Sequence, residues 1–212
     1  MNVLIAGANG HTGRLLVEYL AKNTSHDPYA MVRDENQAGE MIELGAADVR
    51  VADLEGEIGS VTEGMDAVIF AAGSGSSTGP DKTISVDQEG AKKLVDAAKS
   101  SSISHFIMLS SIGADDPQGP LEHYLSAKKE ADDYLKNSGL TYTIVRPGKL
   151  TFDEPTGKID AAEQIEILED SSIPRADVAH VLAVSLDFDN VKNRVFDILS
   201  GDKDIEPVLK ML

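Results

Sequence analysis

The stretch "VLIAGANGHTGRLL", Val3–Leu16, begins as an apolar run, passes three glycines and continues with leucines at helical spacing. Asn2–Ala8 reads as a buried strand and Thr12–Lys22 as a helix, so Gly7, Gly10 and Gly13 fall at the turn between them. That order of parts makes a phosphate cradle. The first glycine permits the tight turn, the second lets backbone approach a pyrophosphate, and the third lets helix and strand pack closely. The helix start adds N–H donors and the positive end of its dipole. Asn9, His11 and Thr12 lie within this loop and Arg14 follows it. The whole set, Gly7 and Asn9 to Arg14, is read as a dinucleotide-binding loop. His11 is expected to be a local hydrogen-bonding group rather than a base.

The remainder of the chain repeats the alternation. Tyr29–Asp34, Val49–Leu54, Asp66–Gly73, His105–Ser111 and Tyr142–Gly148 are apolar runs of strand length. Gln37–Leu44, Lys82–Ser100 and Leu121–Asn137 carry helical spacing between them. Apolar strands alternating with helices predict an α/β protein built on a doubly wound parallel sheet, the Rossmann arrangement. After Gly148 the pattern loosens, and only a helix over Ala176–Leu186 and a strand over Val195–Leu199 stand out. A single domain is therefore expected over 1–212. Residues 1–148 would form its cofactor-binding core and 149–212 a small substrate-side elaboration.

Composition narrows the function. The 212 residues are 42% hydrophobic and 26% charged, as in ordinary globular proteins. A net charge of −17 opposes binding to nucleic acid or to an anionic membrane. No apolar run reaches the roughly 18 residues of a membrane span. There is no cysteine, and His11, His26, His105, His123 and His180 show no paired ligand spacing, so no metal is expected. No leader segment is recognised, and a cytoplasmic monomer or homodimer acting on a small molecule is the expectation.

The end of the second strand bears on the cofactor. An acid about 20 residues past the glycines favours NAD by binding the ribose hydroxyls. Arg33 stands there instead, with Asp34 after it. A guanidinium suits a 2′-phosphate, and Arg14 could add a second cation, so NADP(H) is favoured over NAD(H). Asp34 in the NAD role is the alternative. After the third strand, Asp53 and Leu54 are placed to meet the adenine.

Within "HYLSAKKEAD", Tyr124 and Lys128 lie one helical turn apart. At about 100° per residue, Leu121, Tyr124, Lys128, Ala131 and Leu135 share one stripe. Lys128 would then face inward, unless it snorkels out to pair with Asp132. A phenol with a pKa near 10 is a poor acid at neutral pH. A neighbouring cation lowers that pKa, so Tyr124 could protonate a carbonyl oxygen as hydride reaches its carbon. Ser110 and Ser111 close the fifth strand at the sheet's carboxyl edge, where either hydroxyl could hold that oxygen.

Taken with "GANGHTG", "MVRD", "ADL", "FAAG", "MLSSIG", "YTIVRPG" and "IPRADVA", these segments make the chain resemble an atypical short-chain dehydrogenase/reductase over essentially its whole length. The branch is that of NAD(P)-binding NmrA-like and flavin/biliverdin reductase-like proteins, with bacterial proteins named as epimerases. The resemblance implies a serine–tyrosine–lysine set matched by Ser110 or Ser111, Tyr124 and Lys128. It further implies that Ala71, Ala72 and Gly73 line the cofactor channel and that Arg146, Pro147 and Gly148 lie against the nicotinamide. Lys128 would also hydrogen-bond the nicotinamide ribose. Three functions follow as expectations: an NADPH-dependent reductase of a small carbonyl, quinone or flavin, a non-catalytic NADP sensor of the NmrA type, and an epimerase or dehydratase that retains its cofactor. The 64 residues after Gly148 (149–212) are few for the cap that holds a nucleotide sugar.

Overall fold

The computed structural model describes residues 1–75, 79–166 and 171–212. The first strands are β1 (Asn2–Ala6), β2 (Asp27–Val32), β3 (Asp48–Val51), β4 (Ala67–Phe70), β5 (His105–Leu109) and β6 (Tyr142–Pro147). Between them run α1 (His11–Asn23), α2 (Ala38–Glu43), α3 (Pro80–Lys82), a π-helical segment (Thr83–Gly90), α4 (Ala91–Ser100) and α5 (Glu122–Lys136). The chain continues through β7 (Lys149–Thr151), β8 (Lys158–Ala162), β9 (Ser172–Pro174), α6 (Arg175–Val184), β10 (Arg194–Ser200), β11 (Lys203–Asp204) and α7 (Ile205–Leu209).

Nine strands form one sheet in the order β11-β8-β10-β6-β5-β4-β1-β2-β3. Every neighbouring pair from β10 to β3 is parallel, whereas β8 pairs antiparallel with β10 and β11. The doubly wound sheet is thus as expected. The strand order reverses between β1 and β4, which opens a crevice at their carboxyl ends. Pairing of β6 with β10 carries the sheet past Gly148 without a break.

The continuous apolar strands are explained by burial on both faces. Val3 and Ile5 of β1 join the core under α1 and α6, while Leu4 and Ala6 join the one under α4 and α5. All four are fully buried. Two expectations need correction. The Lys82–Ser100 periodicity conceals the π-helical turn, which takes Asp87 into the interior at 1% exposure. Leu121, counted on the inward stripe, sits in a 3₁₀ turn before α5 and is 58% exposed. Among the described residues no helix is long and apolar enough to cross a membrane.

One buried histidine ties β5 to β6. His105 Nε2 lies 2.8 Å from Thr143 Oγ1, whose hydroxyl donates to the Val191 carbonyl at 2.9 Å. The hydroxyl proton is therefore committed, so the imidazole Nε2 is the donor in this contact. Burial foremost, helped by Lys192 and opposed by Asp189, lowers its pKa from 6.5 to about 4. Between those values the unfolded chain binds a proton that the folded chain does not. This contribution is complete above pH 6.5 and is lost as pH falls toward 4. Denaturant unfolding of His105→Gln should lose about 3 kcal/mol less than wild type between pH 6.5 and 4. Equal slopes for the two proteins would contradict this account.

Candidate functional site

The glycine loop is shaped by contact. Gly7 has φ +81°, and a Cβ there would come within 2.5 Å of Ala72 Cα. A Cβ on Gly13 would run into the Gly7 carbonyl. These two glycines lock β1, α1 and the segment after β4 together. Gly10 differs, because its Cβ would meet only the Gly7 carbonyl, at 3.2 Å. Its open side lies at the start of α1, where no side chain caps the helix and no acid occupies the first turn. The leading N–H groups of a helix have no intrahelical acceptor, so a diphosphate fits this cradle chemically.

Around the loop the expected residues divide. Thr12 is buried. Arg14 donates to Asn9 Oδ1 at 2.8 Å and is ion-paired with Glu40, so these residues brace the loop from its flank. His11 stands edge-on to Phe152, with ring centroids 4.9 Å apart. Arg33 is exposed and makes no hydrogen bond or ion pair among the described residues. Asp34 caps the turn after β2 by accepting from the Asn36 N–H at 2.9 Å. Asp53 is similarly engaged with the Glu55 N–H at 3.0 Å. Leu54 is 8% exposed, its side chain turned into the core.

Beside the loop lies a buried charge network that sequence reading found only in part. Lys128 is 3% exposed and faces inward from α5. It pairs with Asp87 at 3.2 Å and donates to the Leu109 carbonyl at 3.2 Å, and it does not snorkel toward Asp132. Burial works against its charge, but the nearby Tyr124, Asp87 and Asp132 outweigh burial and raise its pKa. Asp87 in turn accepts from the Ser74 N–H at 2.8 Å, and its Oδ1 would lie 3.3 Å from a Cβ on Gly73. The Ala71–Gly73 segment is therefore held from both sides, by Gly7 and by Asp87. Half-buried Tyr124 has its ring 5.7 Å from the Lys128 ammonium.

A second cluster lies one turn further along α5. Asp132 is fully buried and accepts from Arg146 Nε at 3.0 Å, Arg146 Nη2 at 2.8 Å and Ser110 Oγ at 2.9 Å. Burial pushes the Asp132 carboxyl up, while Arg146, Ser110 and Lys128 act against that rise. For Arg146 burial is outweighed by Asp115 and Asp132, which raise its pKa. Arg146, expected against the nicotinamide, is instead 3% exposed and committed to this cluster. Ser110 is likewise committed, whereas among the described residues the Ser111 hydroxyl bonds only the next residue's carbonyl, at 3.2 Å. Pro147 is buried, and a Cβ on Gly148 would approach the Ser171 carbonyl oxygen at 2.8 Å. Asp87 and Asp115 were missed, and Asp132 was weighed only as a partner for Lys128, because their actual partners are distant in sequence. No cluster of potential metal ligands occurs among the described residues.

Comparison with known proteins follows the same lines. A family model described as NAD(P)H-binding matches residues 7–189. YhfK of Bacillus subtilis (strain 168), named as an uncharacterized sugar epimerase, is 44% identical, with 100% of both chains covered. A solved Bacillus halodurans structure, described as a candidate NAD-dependent epimerase/dehydratase, is 46% identical, covers 100% of both chains and superposes with a TM-score of 0.96. Sanguinarine reductase of Eschscholzia californica is 34% identical over 135 residues, which is 59% of this chain and 49% of that one.

The different surroundings of Gly10 and Gly13 lead to opposite expectations. Gly13→Ala should lower Tm by more than about 6 °C, since roughly 2 kcal/mol or more of overpacking shifts a chain of this size that far. Gly10→Ala should leave Tm within about 3 °C and abolish NADPH binding in a fluorescence titration. Unimpaired binding by Gly10→Ala would show that no diphosphate rests on that glycine.

Proposed function

The chain belongs to the NAD(P)H-binding family, and we propose that it is an NADP(H)-dependent reductase that delivers hydride to a small carbonyl, quinone or flavin-like acceptor. The observation that carries this reading is the buried Lys128 ammonium beneath half-buried Tyr124 at the crevice. Registration of α5 accounts for the Lys128–Asp87 pair but not for the half-buried phenol set beside that costly desolvated cation, which is the arrangement proton donation requires. Relationship to the sanguinarine reductase of Eschscholzia californica supports the same class.

In this reading the leading N–H groups of α1 and the open side of Gly10 take the diphosphate. Arg33, which makes no hydrogen bond or ion pair among the described residues, takes the 2′-phosphate. The Ala71–Gly73 segment lines the channel, and Asp53 lies beside the adenine, with Leu54 supporting that segment from the core. When bound, NADPH supplies the hydride. Tyr124 donates the proton to the substrate oxygen, and the Lys128 charge favours the phenolate left behind. Ser111 holds the substrate oxygen, because the Ser110 hydroxyl is spent on Asp132. Asp87 keeps Lys128 oriented and holds Ser74, so catalytic cation and cofactor channel share one carboxylate.

A second reading, an epimerase or dehydratase that retains its cofactor, is favoured by the descriptions of the two full-length relatives. It differs in consuming no net NADPH. Absorbance at 340 nm with a panel of small quinones, diketones and aldehydes separates the two. The reductase should oxidise NADPH, and Tyr124→Phe should lower kcat by about 10²–10⁴-fold with cofactor affinity little changed. Turnover unaltered in Tyr124→Phe would overturn the tyrosine mechanism. NADPH should also bind at least about tenfold tighter than NADH, about 1.4 kcal/mol, and Arg33→Ala should erase that preference. A tie in the wild-type protein would remove Arg33 from the assignment.

A further inference from the structure

The "IPRADVA" segment has a role beyond the proposed chemistry. Arg175 opens α6, and its guanidinium carbon sits 4.0 Å from the centroid of the Phe152 ring. Phe152 is 74% exposed and contacts His11 edge-on at the glycine loop. Two ring contacts thus connect an arginine of the C-terminal region to the first residue of α1. Asp177, in the first turn of α6, is 1% exposed. It accepts from the Thr156 N–H at 3.0 Å and the Gly157 N–H at 2.9 Å. One turn of α6 therefore carries Arg175 and also pins the far end of the segment bearing Phe152.

Arg175 makes no ion pair among the described residues. Burial is the single cause acting on its pKa, which it lowers. That is unexpected in a chain where 36 acids face 19 lysines and arginines. Glu18, which lines the same cleft of about 300 Å³, is occupied by Lys22, and the lining Arg14 is itself occupied by Glu40. Arg175 spends Nη1 on the Leu150 carbonyl at 3.1 Å. Among the described residues nothing engages the Nε–Nη2 edge, the edge that Arg146 turns toward Asp132. Such an edge pairs with an oxyanion through two parallel bonds.

We propose that Arg175, stacked on Phe152 beside the glycine loop, is an anion anchor that closes over an oxyanion held at the start of α1. Two sources share that chemistry: the diphosphate of the dinucleotide, and a phosphate or carboxylate of the substrate. The inference rests on family membership and on this geometry, and does not require that the protein reduce anything. Isothermal titration with NADPH, ADP-ribose and inorganic phosphate tests it in wild type, Arg175→Gln, Arg175→Lys and Arg33→Ala, with Tm recorded for each.

If the diphosphate is the ligand, Arg175→Gln weakens NADPH and ADP-ribose alike by tenfold or more, and Arg175→Lys recovers part of the loss. Arg33→Ala then weakens NADPH alone, because ADP-ribose has no 2′-phosphate. If the substrate supplies the anion, ADP-ribose affinity is unchanged in Arg175→Gln, and inorganic phosphate binding to the NADP-saturated protein is lost. Unchanged binding of all three probes by a folded Arg175→Gln overturns the proposal. Should Arg175→Gln fail to fold, Phe152→Ala, which removes the platform at an exposed position, must weaken the same probe, and its failure to do so overturns the proposal equally. If no dinucleotide binds wild type, the family reading fails separately from the Arg175 assignment.

Discussion

The organisation of this protein depends on how closely three backbone segments meet at the end of β1. Gly13 lies against the Gly7 carbonyl and Gly7 against Ala72, so strand, helix and crossover segment approach at distances that admit no side chain. The contact aims the first N–H groups of α1 at the crevice where strand order reverses. It also fixes the Ala71–Gly73 segment relative to the phosphate cradle. The middle glycine of the loop, Gly10, is excused from this packing, and its open face is what a ligand would meet.

A second constraint is electrostatic. Two carboxylates and two cations, Asp87 with Lys128 and Asp132 with Arg146, lie almost wholly within the protein beneath the crevice. A buried ion pair seldom adds net stability, but removing one partner leaves the other charge without water or counter-ion. The pairs therefore act as registration devices. Lys128 and Asp132 lie on successive turns of α5, so the helix bearing Tyr124 is fixed both to the π-helical segment and to β6. The π-helical turn that brings Asp87 to the lysine departs from regular helix where such departures commonly serve a site.

Much of this was legible in the chain, and the parts that were not share a cause. The six strands and the glycine turn are local patterns that periodicity located, although β3 ends at Val51 rather than Leu54 and has no buried residue. β8, "KIDAA", is short and has only Ile159 fully buried, so no apolar run announces it. Lys128 was legible as an inward lysine because its neighbours on the helix set its face. Asp87, 41 residues earlier, could not be paired with it, since the pairing depends on a crossover and on an irregular turn. Ser110 and Ser111 were indistinguishable until Asp132 was seen to accept from one of them. Arg146 looked like a cofactor neighbour by family pattern, yet a buried carboxylate claims it.

The central claim is that the crevice transfers hydride, and isotope transfer tests it most directly. NADPH carrying deuterium at the transferable C4 position would be incubated with the protein and a small quinone, diketone or aldehyde found to be turned over. The reduced product would then be weighed by mass spectrometry. For a carbonyl acceptor, the account predicts one deuterium on the product carbon, with the oxygen's proton drawn from solvent. Tight NADPH binding with the deuterium retained in the cofactor across the whole panel would contradict it, leaving a protein that binds or recycles its cofactor without reducing a partner.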